Sequence, residues 1–147
     1  MNPMNPNPYE SPRVYGAPPS PPSAGTATRT PFILAAVGAW MASAYWALLT
    51  VLIGLGVAFG SGSAISVVFP CILIVLYALR GWQLIKGDAS AAQRILFLHI
   101  IGCVAAFSQM ASGDGIVLLL QSIKVLIHVF GGVAAYFARR AAQQRTV

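Results

Sequence analysis

Four long apolar stretches, separated by short polar or glycine-rich segments, follow residue 30. No charged residue lies within Pro31–Leu79, a length sufficient for two membrane spans of about 20 residues each. Two further apolar stretches lie between Arg94 and Asp114 and after Gly115. The pattern predicts four transmembrane helices, with approximate bounds 32–59, 64–85, 91–111 and 115–138.

The segments between these stretches carry typical turn signals. GSGS at 60–63 and SGDG at 112–115 are small, flexible sequences that interrupt helices. In the link KGDASAAQR, Gly87 is expected to end one helix and Asp88 to cap the next. Pro70 lies inside the second span, where it is expected to bend the helix.

Composition places the chain among membrane proteins. Apolar residues make up 57% of it and charged residues 8%, whereas a soluble domain has roughly a quarter charged. We therefore predict an all-α integral membrane four-helix bundle over residues 31–140. Cys71 and Cys103 fall inside spans, which favours two small buried side chains over a disulfide framework, with a bridge or redox pair as the alternative.

The first 30 residues differ sharply from the rest. They hold eight of the ten prolines and few large aliphatic side chains, so they are predicted to form a disordered cytoplasmic tail. PPSPP at 18–22 favours polyproline II, suited to a tether or to docking a partner. Residues 141–147 are predicted to be a short basic tail.

The motif NPYESP, residues 7–12, resembles the NPY-x-x-P type tail that opens many small uncharacterised bacterial integral membrane proteins with four helices. The resemblance covers only these residues and implies a bacterial four-helix membrane protein. It brings no activity, cofactor or functional residue with it.

The basic residues predict the orientation, because Lys and Arg favour the cytoplasmic side of short flanking segments. Both turns on the opposite side lack Lys and Arg, so both termini are expected in the cytoplasm of a multi-pass protein of the cell (inner) membrane. The basic residues that flank the spans all fall on one side: Arg13, Arg29, Arg80, Lys86, Arg94, Arg139, Arg140 and Arg145.

Lys124 is the ninth basic residue, and it lies inside the fourth span. It is nine residues past Gly115, about 13 Å along the helix and near the centre of a hydrocarbon core about 30 Å thick. It belongs to a helical stripe of polar and small residues, and span three carries a second stripe. The members are Val117, Gln121, Lys124, His128, Gly131 and Ala135 in span four, and His99, Gly102, Cys103, Ala106 and Gln109 in span three.

We expect the two stripes to face each other, since small and polar residues mediate helix association in membranes. A hairpin turning near residues 112–115 places His99 and His128 at one depth. It also places Gln109 above Lys124, so the lysine is expected to reach outward past small residues toward Gln109 and water.

Three functions fit this pattern. The first is a non-enzymatic packing or interaction protein whose polar stripe fixes helix register or docks a membrane partner or a second copy. The second is a small oligomeric anion channel or carrier that uses Lys124. The third is a haem or metal site at His99 and His128, since two imidazoles at one depth are the minimum for axial ligation.

Other chemistry has little support in the sequence. It contains no paired carboxylates, phosphate-binding glycine loop or assembled Ser-His-Asp set, so an enzyme is not expected. Basic residues are dispersed, which argues against nucleic acid, and no resident cofactor is expected. Gly56 and Gly60 form a small-xxx-small pattern, which predicts a further packing face on span one.

Overall fold

The computed structural model describes residues 29–111 and 113–144, and within these ranges the regular structure is entirely helical. The helices are α1 (Thr30–Ala58), α2 (Ile65–Ile85), α3 (Ala89–Met110) and α4 (Gly115–Gln143). Each is long and apolar enough to cross a membrane, by length and composition. Apart from Arg29 and Thr30, the predicted disordered tail lies outside the described residues, as does the NPYESP motif.

The helix ends follow the turn chemistry. Gly60 and Gly87 have φ angles of 79° and 81°, a left-handed conformation that glycine adopts without strain. Asp88 accepts hydrogen bonds from the backbone N–H groups of Ser90 and Ala91, which confirms it as the cap of α3. Asp114 caps α4 in the same way, by accepting from the N–H of Val117.

Helix α4 extends to Gln143, beyond the predicted end at residue 138. Part of the predicted basic tail is therefore helical. Alanine and glutamine are strong helix formers, and Arg140 lies in the last turn, where a cation interacts favourably with the helix dipole.

Alanines and glycines form the contact between α1 and α4. Gly38 and Gly131 meet here, and a Cβ built on Gly38 would lie only 2.6 Å from the Cα of Gly131. Such small residues let backbones approach closely, which is how membrane helices gain packing energy. Helix α1 also packs on α2 and helix α3 on α4, whereas α2 and α3 have little mutual contact. The fully buried alanines of α1 and α4 are Ala35, Ala36, Ala39, Ala135 and Ala138.

Burial is uneven along the bundle. We call the end that carries Arg29, Lys86 and Arg139 the basic end, and the end formed by the turns after α1 and α3 the far end. In α1 the last buried residue is Tyr45, and in α4 the first is Lys124. Among the described residues, none is buried in the far-end portions of the helices: 46–58 of α1, 65–69 of α2, 107–110 of α3 and 115–123 of α4.

Candidate functional site

The centre of the bundle contains a pair of buried histidines, one from α3 and one from α4. His99 Nδ1 lies 3.0 Å from His128 Nδ1, and the two side chains are only 1% and 2% exposed. The structure thus brings together the two imidazoles that the hairpin estimate placed at one depth. A neutral pair in this contact requires one Nδ1–H tautomer as donor and one Nε2–H tautomer as acceptor.

Each imidazole lies on a glycine of the opposite helix. A Cβ on Gly131 would collide with the ring of His99, and a Cβ on Gly102 would collide with the ring of His128. The same spacing, His-x-x-Gly, occurs in both helices as HIIG at 99–102 and HVFG at 128–131. The packing is therefore reciprocal. The imidazole of α3 lies on a glycine of α4, and the imidazole of α4 lies on a glycine of α3.

Tyr77 of α2 covers the histidine pair. Its ring centroid lies 5.3 Å from that of His99 and 5.9 Å from that of His128. Its hydroxyl donates to the carbonyl oxygen of Leu98 at 3.0 Å, so the polar end of this buried side chain is satisfied on the backbone of α3. The tyrosine joins α2 to α3, two helices that otherwise have little contact.

Lys124 lies on the far-end side of the histidines and faces α1. Its side chain is 3% exposed, and Nζ is 4.8 Å from the centroid of the Trp46 ring. A cation over an indole face at this distance is stabilised by the ring quadrupole. The expectation that the lysine reaches outward to water past span three therefore differs from the structure, in which Trp46 and the neighbouring helices enclose it.

Two residues near this lysine carry polar atoms without partners: Trp46, whose ring it contacts, and Gln121, three residues earlier on α4. Lys124 Nζ lies over the Trp46 ring, and neither acid of the described residues, Asp88 or Asp114, forms an ion pair with it. Trp46 Nε1 and Gln121 Oε1 are buried and lack a hydrogen-bond partner. Near them, Tyr45 donates its hydroxyl to the carbonyl oxygen of Leu120 at 3.2 Å. We call Lys124, Trp46 and Gln121 the lysine cluster.

The other residues predicted for the site or for helix packing lie outside the histidine pair and the lysine cluster. Ala106 is buried, whereas Gln109 is exposed at the far end of α3. Gly60 lies beyond the end of α1, and Gly56 packs near Ser61 of the following turn. These two glycines therefore do not form one helical face, because Gly60 belongs to the turn that follows α1.

The histidine pair does not fit a haem. Axial ligation by two imidazoles places the macrocycle between their nitrogens, whereas here the Nδ1 atoms are in direct contact and both rings lie on glycine backbone. A single metal ion would also have too few protein ligands at this pair. Within residues 29–111 and 113–144, no three His, Cys, Asp or Glu side chains come close enough to share one.

The two cysteines are free thiols. Cys71 is exposed on α2, and Cys103 is half-buried on α3. The alternative of a disulfide between them is therefore not realised in this structure.

Several residues of the site are absent from the sequence-based prediction. Trp46 carries no distinguishing signal, because an indole inside an apolar span is common. Tyr77 could have been found, since a buried tyrosine hydroxyl needs an acceptor on a neighbouring helix. The repeated His-x-x-Gly spacing was also readable and predicts reciprocal ring-on-glycine packing.

Compared with known proteins, the chain matches no family model, no curated protein and no solved structure.

Proposed function

We propose that this chain is a bacterial multi-pass protein of the cell (inner) membrane with both termini in the cytoplasm. Its role is non-enzymatic: it packs against another membrane protein or against a second copy of itself. Four apolar helices and the collection of Arg29, Lys86 and Arg139 at one end support the location.

The interaction role is supported by the far end of the bundle. Residues 46–58 of α1 span about 20 Å without a buried residue, although the same helix is densely packed up to Tyr45. Gly54 lies in this segment, and a Cβ placed on it would meet nothing within 4 Å. Such a surface can receive a helix at close range, whereas the space at Gly131, Gly102 and Gly81 is already occupied by the rings of His99, His128 and Trp40.

The histidine pair fits a packing role better than a chemical one. Each ring is held by the other ring, by Tyr77 and by a glycine of the facing helix. The polar stripe thus fixes the register of α3 on α4, because a shift of either helix would drive a ring into backbone atoms.

Photo-crosslinking in native membranes tests the interaction role. A photoreactive amino acid at Val51, which is 60% exposed on the far segment of α1, is expected to form protein adducts. The same group at Phe97, which is 55% exposed on α3, is the matched control and is expected to form none.

Substitutions of glycine sharpen this test. Gly54→Leu should abolish the Val51 adduct, whereas Gly115→Leu, at a second glycine with open surroundings, should leave it intact. Adducts of equal yield at positions 51 and 97, or none at position 51, would contradict the proposal.

A further inference from the structure

The lysine cluster combines a charged side chain with polar atoms that have no partner. Trp46 Nε1 and Gln121 Oε1 are buried without a hydrogen-bond partner, and the charge of the 3% exposed Lys124 is met by the face of the Trp46 ring. An uncompensated charge or N–H group in a low-dielectric interior is costly, and in hydrocarbon no bulk water relieves it. The charge of Lys124 on α4 and the Trp46 N–H on α1 therefore point to an occupant that supplies the missing interactions.

No carboxylate of the described residues can supply the countercharge. Their two acids are Asp88 and Asp114. Asp88 caps α3 at the basic end, and Asp114 is ten residues before Lys124, about 15 Å along α4. The indole face offsets part of the charge, but its attraction for a cation is only about 2 kcal/mol even when desolvated.

We infer that the lysine cluster binds one small monovalent anion of the halide class. Lys124 supplies the charge, and the Trp46 Nε1–H and the amide of Gln121 supply hydrogen bonds once the amide turns its N–H toward the ion. A single negative charge makes the site neutral, whereas a divalent anion would leave one uncompensated charge in hydrocarbon. This inference is independent of the proposed interaction role.

The enclosure of Lys124 favours an ion over a partner's side chain. Only 3% of the lysine is exposed, because α1 and α4 cover it within one protomer. An acidic side chain on a foreign helix would have to part these helices to reach Nζ. A small ion has to separate them far less, and packing is looser on the far-end side of Lys124, where 115–123 of α4 and 46–58 of α1 contain no buried residue.

Iodide quenching of tryptophan fluorescence reports directly on this site, because Trp46 belongs to it. The experiment uses the full chain in lipid nanodiscs with Trp40→Phe and Trp82→Phe, so that only Trp46 emits. The matched control keeps Trp82 alone, since Lys86 Nζ lies 5.2 Å from its ring centroid in an exposed cation–π pair. Ionic strength is held constant with gluconate.

We expect quenching of Trp46 to saturate with iodide and quenching of Trp82 to rise without saturation. Lys124→Met should remove the saturable part for Trp46, whereas Lys86→Met should not. Saturation that survives Lys124→Met, or equal behaviour of the two tryptophans, would overturn the inference. Quenching of Trp46 that never saturates would also overturn it, and would indicate that water alone or an uncharged lysine fills the site.

Competition between anions in the protein that retains Lys124 provides a second test, which does not depend on the folding of Lys124→Met. In the Trp46-only protein, chloride should relieve iodide quenching competitively, whereas sulfate at equal ionic strength should not. Bromide should also raise the Tm of the unmodified protein in a saturable manner relative to gluconate, because a ligand that binds only the folded state stabilises it. Relief by sulfate as effective as by chloride, or a Tm indifferent to bromide, would contradict the inference.

Discussion

Gly131 lies directly beneath the imidazole of His99, where no side chain fits. The other face of the same glycine approaches Gly38 of α1, so three helices converge on one Cα. Gly131 is thus the point at which α1, α3 and α4 are fixed relative to one another.

Adding a methyl group at this point should separate the helices. Gly131→Ala is expected to lower the free energy of unfolding by roughly 1–3 kcal/mol, the usual cost of overpacking. Gly102→Ala should act similarly through the ring of His128. Denaturant unfolding in detergent micelles, followed by circular dichroism, measures both.

Gly54→Ala is the control for these substitutions, because it adds the same methyl group in open space within α1. Alanine is a better helix former than glycine, so this variant should be as stable as the parent or more stable. If all three alanine variants had equal stability, the close packing at Gly131 and Gly102 would be refuted.

The contact between His99 and His128 predicts strong energetic coupling. His99→Ala should lower the free energy of unfolding by about 2–4 kcal/mol. The substitution leaves a cavity, and it leaves the buried Nδ1 of His128 without a hydrogen-bond partner. His128→Ala should cost a similar amount, but the double variant should cost less than the sum. A double-mutant cycle with a coupling of roughly 0.5–3 kcal/mol is expected, and additivity would contradict the hydrogen bond.

Tyr77→Phe removes one hydrogen bond and keeps the ring over the histidines. Since the hydroxyl donates to the Leu98 carbonyl, we expect a loss of about 1 kcal/mol in unfolding free energy. Tyr136→Phe on the exposed face of α4 is the control and should change little. Equal effects of the two variants would argue against the link between α2 and α3.

The cap of α3 predicts a pH dependence at the basic end. The hydrogen bond from the Ser90 side chain, helped by backbone N–H groups, lowers the pKa of Asp88 below its ordinary 3.8. A lowered pKa in the folded state means that the cap's contribution is present above 3.8 and is lost as the pH falls through the folded value.

Comparison of Asp88→Ala with the parent isolates this contribution. The substitution should cost about 1 kcal/mol at neutral pH, and the difference in Tm should shrink in acid as the parent's carboxylate becomes protonated. Asp88→Asn, which keeps an acceptor oxygen without the charge, should retain most of the cap at every pH. A difference between Asp88→Ala and the parent that grows in acid would contradict the assignment.

Much of the fold was predictable because lipid-spanning helices follow simple rules of length and turn chemistry. Gly87 and Asp88 end and cap helices as their types suggest, and His99 and His128 meet because an antiparallel hairpin fixes their relative depth. The direction of Lys124 was not predictable. It depends on whether α1 or α3 lies beside that part of α4, and apolar sequences do not encode which neighbour is closer.

The accumulation of buried residues toward the basic end was also not predictable. The far segment of α1 is as apolar as the near one, and only the three-dimensional structure reveals that no residue of α1 after Tyr45 is fully buried. Hydrophobicity identifies surfaces that avoid water, but it does not distinguish contact with lipid from contact with another helix.

The central claim, that four helices span a membrane with both ends of the chain in the cytoplasm, is tested most directly by cysteine labelling in intact cells. In a Cys71→Ala, Cys103→Ala background, Ser63→Cys samples the far end, and Ala89→Cys and Gln144→Cys sample the basic end. An impermeant maleimide should label position 63 in intact cells and positions 89 and 144 only after permeabilisation. Labelling of positions 63 and 89 from the same side, or of 89 and 144 from opposite sides, would contradict the account.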